Sequence, residues 1–144
     1  MSNHPYKPGP FLSQITVPSD LRTNFTEEQL AVRDAARDFA QQILKPGVID
    51  RDRDMIYPKS EIEQMAEMGF LGMMTDPKYG GMGMDTISYV LAMEEISKVD
   101  ASTSVIMSVN NSLVCWGIEK HGSDEQKEKF LRPLASGQIH GGFC

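Results

Sequence analysis

Two cysteines in 144 residues, Cys115 and Cys144, are too few for a disulfide framework or a metal-ligand cluster. The three histidines, His4, His121 and His140, are scattered, which excludes a local histidine metal motif. Lys and Arg form no run and the net charge is −6, so the footprint of a nucleic-acid binder is missing. No Gly-Lys-Ser/Thr follows a glycine loop, which excludes a P-loop. The opening residues carry neither an apolar signal region nor an Arg-rich amphipathic pattern, and a cytoplasmic protein is expected. One stretch, Ala101 to Ile118, lacks charge across 18 residues. It carries Ser102, Thr103, Ser104, Ser108, Asn110, Asn111 and Ser112, which hydrocarbon would penalise, so a buried helix rather than a membrane span is expected.

What is present reads as helix. Residues 1–24 hold Pro5, Pro8, Pro10 and Pro18 and no apolar period, as in a terminal tail. Thr26 and Gln29 have capping-box spacing, and Val32, Ala36, Phe39 and Ile43 then recur at helical intervals. This first helix is expected to run from Glu27 to about Lys45 and to end at Pro46-Gly47. Arg51 to Asp54 reads as a solvated turn. A short helix, Lys59 to Met68, turns Ile62, Met65 and Ala66 inward and stops at Gly69. Phe70 to Met84 is an apolar loop rich in Gly and Met. Asp85 caps a helix to about Val99; Asp100 or Ser102 caps the next, ending near His121; Ser123 and Gln126 box the last, Asp124 to about Ala135. Gln138 to Cys144 switches to Ile, Phe and Gly, as at the start of a strand. The predicted fold is all-α: about five helices around Ala101–His121, with a short extended C-terminal end.

The glycines of Tyr79-Gly80-Gly81-Met82-Gly83 lack dinucleotide spacing and are expected to supply positive φ. Glu94 and Glu95 are adjacent on a helix and do not face each other, so they make a poor acid/base pair; a structural partner such as Arg is the expected reason for burying one. In the uncharged helix, Ile106, Val109, Leu113 and Trp116 share one face and Met107, Val114 and Ile118 another, which suits a central position. Ser108, Asn110, Asn111 and Ser112 interrupt it, and two readings stand side by side: bonds to neighbouring helices, or the lining of a cavity.

Several stretches in order resemble one family. They are Phe25-Thr26-Glu27-Glu28-Gln29, Glu67-Met68-Gly69-Phe70-Leu71-Gly72, Pro77-Lys78-Tyr79-Gly80-Gly81-Met82-Gly83, Ala92-Met93-Glu94-Glu95-Ile96-Ser97 and Gly122-Ser123-Asp124-Glu125-Gln126-Lys127. Across residues 25–144 the chain resembles the N-terminal helical domain of acyl-CoA dehydrogenases. Its run Val105 to Leu113 is most similar to the short-chain, butyryl-CoA type. The resemblance implies a tail at 1–24, this helical domain at 25–137, and the start of a middle β domain at 138–144. It implies FAD between the middle and C-terminal domains, with Phe143 and Cys144 opening the first flavin-contacting strand. It implies an acyl-CoA substrate whose tail lies against Ile106, Val109 and Leu113, and a glutamate base in the C-terminal part, so no catalytic residue lies in this chain. A homotetramer and an electron-transferring flavoprotein partner are implied as well. The chain by itself is expected to be inactive, and a non-catalytic helical interaction module or gene fragment of the same fold is the alternative. The Met-rich residues Met73, Met74, Met82 and Met84, with Phe143, are the expected docking face for the β domain.

Overall fold

A computed structural model describes residues 25–142. Helix α1, Glu27–Phe39, opens with the Thr26/Gln29 capping box, in which the Thr26 hydroxyl accepts the Gln29 amide and the Gln29 side chain accepts the Thr26 amide. The helix does not end at Pro46-Gly47. A π turn, Ala40–Leu44, and a 3-10 turn, Lys45–Gly47, carry the backbone into α2, Val48–Asp54. The wider π turn gives the proline room, since its ring would otherwise press on a carbonyl one turn back. The expected solvated turn at Arg51–Asp54 is therefore helix, and only Asp52, Arg53 and Asp54 of it are exposed.

Helix α3, Lys59–Glu67, buries Ile62 and Met65 and leads to Gly69 at φ +78°. The Gly/Met loop is pinned to itself: the Met82 amide donates to the Gly72 carbonyl at 2.9 Å and the Met84 amide to that of Met73 at 2.8 Å. Gly80 and Gly83 take the positive φ expected of them, +85° and +63°, whereas Gly81 does not and instead lies against Thr75. Helix α4, Thr86–Ser97, is capped by Asp85, which accepts the Ser88 amide. Gln29 bonds Asp85 and Arg37 bonds Glu95, so α1 and α4 lie side by side pointing the same way.

Asp100 caps the next rod, which consists of α5 (Ala101–Ser108), a π segment (Val109–Cys115) and α6 (Trp116–His121). Ser123 and Gln126 form the expected box on α7 (Asp124–Gln126), which continues through a π turn (Lys127–Leu131) to α8 (Arg132–Ala135). Residues 138–142 form no strand, and no strand occurs among the described residues. No helix among them is long and apolar enough to cross a membrane.

The core has two parts. Phe39, Leu44, Ile62, Met65, Leu71, Met73, Ile96 and Met107 belong to the larger, built from α1, α3, α4, α5 and the loop. Tyr79, Cys115, Leu131, Leu134 and Ala135 make the smaller one. The Ala101–His121 rod serves both, with Met107 in one and Cys115 in the other.

Candidate functional site: a helix with its amides inward and its apolar face outward

The rod begins at Asp100, whose carboxylate accepts the Thr103 amide at 2.9 Å and an Arg51 guanidinium N–H at 2.9 Å. Arg51 also donates to Glu61 at 2.8 Å and to the Leu44 carbonyl at 2.6 Å. Burial pushes the Asp100 carboxyl up, but the Thr103 amide and Arg51 outweigh it and hold it below the usual range. No sequence signal singled out Arg51, because it stands in an alternating Arg-Asp run of surface appearance.

Between the two core parts the rod turns Asn110 and Asn111 inward, and both are buried. Asn111 donates to the Phe70 and Met107 carbonyls at 2.8 and 3.0 Å and accepts the Met73 amide at 2.8 Å. Asn110 donates to the Leu71 and Leu134 carbonyls at 2.8 and 3.1 Å and accepts the Gly141 amide at 3.0 Å. Ser112 donates back to the Ser108 carbonyl at 2.7 Å. Of the two readings open for this polar group, bonding to neighbours is the one the geometry gives.

The apolar residues are distributed differently from a central helix. Met107 is buried, and Val114 and Ile118 pack on the smaller core. On the other face Ile106 and Val109 are half-buried, while Val105, Leu113 and Trp116 are 58%, 51% and 54% exposed. The rod is therefore a wall of the domain, and its outer side is aliphatic, aromatic and free of ionisable groups from Val105 to Trp116. Such a face can hold an apolar chain; it cannot move a proton. Behind it, burial pushes the Cys115 thiol up to about 11, so the cysteine packs as a small hydrophobe and has little thiolate with which to attack.

The other candidates resolve into structure. Glu95 is buried and receives Arg37 at 3.1 and 3.2 Å and Lys98 at 3.0 Å. Hydrogen bonds from Arg37, helped by Lys98, hold its carboxyl below the usual range against its burial. This is the arginine partner expected from sequence. Met73 corrects the expected docking face: it is fully buried, its amide held by Asn111, whereas Met82 is exposed and Met74 and Met84 are half-buried. Ile106, Val109 and Leu113 do lie along one side of the rod. Phe143 and Cys144 lie outside the described residues. No group of three or more metal-ligating side chains occurs among the described residues.

Residues 26–138 match the family of acyl-CoA dehydrogenase N-terminal domains. A short-chain specific acyl-CoA dehydrogenase of Clostridium acetobutylicum is 40% identical over 120 residues, 83% of this chain and 32% of that protein. The mitochondrial short-chain specific acyl-CoA dehydrogenase of Homo sapiens is 44% identical over 108 residues, 75% of this chain and 26% of its own length. Among solved structures, butyryl-CoA dehydrogenase from Megasphaera elsdenii superposes with a TM-score of 0.76 at 38% identity, covering 82% of this chain and 32% of that one. A chain in a structure of the electron transferring flavoprotein of Acidaminococcus fermentans superposes at 0.78 with 44% identity, covering 81% and 31%. The chain thus spans about a third or less of the length of these relatives.

Proposed function

Since the chain belongs to the acyl-CoA dehydrogenase family through its N-terminal domain, we propose that it forms the acyl-side wall of a flavin-dependent, short-chain acyl-CoA dehydrogenase. The observation that carries this is the inverted Ala101–His121 rod. Its asparagines face the core and its Val105, Leu113 and Trp116 face out, an arrangement that leaves apolar surface uncovered. Ile106, Val109 and Leu113 would touch the acyl tail. The reaction would be α,β-dehydrogenation within fatty acid β-oxidation, in a homotetramer that hands its electrons to an electron-transferring flavoprotein.

FAD would supply the hydride acceptor. Phe143 and Cys144, which the resemblance assigns to it, lie outside the described residues. The work of residues 25–142 in this reading is to shape an apolar slot and exclude water from it.

The test is an exchange of domains. Residues 26–138 replace the matching part of the Clostridium acetobutylicum enzyme, and bleaching of the flavin by acyl-CoA is followed without oxygen. Butyryl-CoA is expected to bleach it faster than octanoyl-CoA. A folded, flavin-loaded chimera that no acyl-CoA bleaches overturns the reading and favours a non-catalytic helical module.

A further inference from the structure

Residues 138–142 leave the last helix and return across the rod, held at three points. The Ile139 amide donates to the Pro133 carbonyl at 3.2 Å, the Tyr57 hydroxyl meets His140 Nδ1 at 3.3 Å, and the Gly141 amide donates to Asn110 Oδ1 at 3.0 Å. The first two holds are at the surface. Asn110 is fully buried, and both hydrogens of its amide are taken, one by Leu71 and one by Leu134. An amide fixed by two separate elements cannot turn, so Oδ1 has a single direction in which to accept. Gly141 completes the fit. A Cβ there would come within 2.5 and 2.7 Å of the Val114 methyls, so only glycine lets the segment lie against the rod at this height.

We propose that Asn110 is a positioning residue: it sets the register between the rod that carries Val109 and Leu113 and the segment 138–142, and so fixes the height at which the chain crosses the rod. The geometry is independent of any ligand; its consequence for the acyl slot rests on the reading given under Proposed function. On that reading one side chain aligns the acyl wall with the strand that the family resemblance opens at Phe143 and Cys144. Asn111, its neighbour, anchors only the loop and the rod, and serves as the internal comparison.

Amide exchange and proton–proton Overhauser contacts in the ¹⁵N-labelled 144-residue chain test this. The Gly141 amide is expected to be protected and to show contacts to the Val114 methyls. Asn110→Leu should erase those contacts and speed exchange at Gly141 about tenfold beyond the factor seen at Ile96 and Met107, a change of the size one hydrogen bond supports. Asn111→Ala should speed the core and Gly141 by one common factor. Should Asn110→Leu fail to fold, Gly141→Val decides: exchange at residues 140–142 should rise about tenfold with Ile96 and Met107 unmoved. An unprotected Gly141 amide in the parent chain, or Asn110→Leu or Gly141→Val moving Gly141 and the core equally, overturns the proposal. No acyl-CoA enters the experiment, so a failed acyl slot and a failed register give different results.

Discussion

Arg51 and Asp100, 49 residues apart in sequence, meet at 2.9 Å, and the same carboxylate caps α5. Their side chains are 10% and 6% exposed. Arg51 thereby joins α2 to α3 through Glu61 and to the start of the outward-facing rod through Asp100.

Removing the cation leaves the Glu61 and Asp100 carboxylates without their shared partner in a site with little water. Arg51→Ala is expected to destabilise the chain by about 3–5 kcal/mol, the cost of breaking a buried pair from one side. Asp100→Ala loses the cap as well as the pair. Urea midpoints of the two single variants and the double variant check this: the double should cost less than the sum, because the two changes remove one shared interaction.

Acid should unfold the chain through its held carboxylates. Glu95, bonded by Arg37, and Asp85, bonded by the Ser88 amide and Gln29, both titrate below their usual ranges in the folded chain, as Asp100 does. The unfolded chain therefore takes up protons first as pH falls. Their stabilisation is complete above the ordinary carboxylate range and is lost as pH drops through the folded values. The urea midpoint is expected to be level from about pH 7 to 5 and to fall below about pH 4. Glu95→Gln should lower the midpoint at pH 7 and flatten the acid limb; an unchanged limb would remove Glu95 from the account.

Asn111→Ala should cost about 2–6 kcal/mol, since it strands the buried Met73 amide and Phe70 carbonyl, each worth about 1–3 kcal/mol when unpaired. The melting temperature measures the loss. Limited proteolysis should then cut within residues 70–84 before it cuts elsewhere.

Val109→Gly tests the acyl slot. Pocket discrimination amounts to about 1–3 kcal/mol per methylene, so in the chimera the ratio of octanoyl- to butyryl-CoA rates should rise in a graded way. A glycine inside a helix costs about 1 kcal/mol in stability. A lower melting temperature with the rate ratio unchanged would make Val109 ordinary packing.

The parts legible in the sequence were those written within one turn. Thr26 and Gln29, Asp85, and Ser123 and Gln126 announce helix starts because cap and partner are three residues apart. Pro46-Gly47 misled for the complementary reason: a proline is a stop signal only if the preceding turn keeps α geometry, and Ala40–Leu44 does not. Arg51 was hidden because its partners come from α3 and from the rod's cap, far along the chain. The rod reads as uncharged and helical, but periodicity does not tell which side faces inward. Apolar side chains promise burial everywhere; the direction was set by Asn110 and Asn111, whose bonds exist only once residues 70–73, Leu134 and Gly141 are in place.

The π segment Val109–Cys115 also makes the number of residues in the rod matter as much as their kind. Each residue of an α-helix turns the chain by about 100°. A turn that holds one residue too many therefore dials the far end of the rod to a new bearing, so that Met107 meets one core and Cys115 the other. Deleting any one residue from 109–115 would leave composition almost untouched, yet it would let the turn relax and swing Trp116–His121 away from the smaller core. Away from the buried Asn110, Asn111 and Cys115, this stretch should accept changes of residue more readily than changes of length.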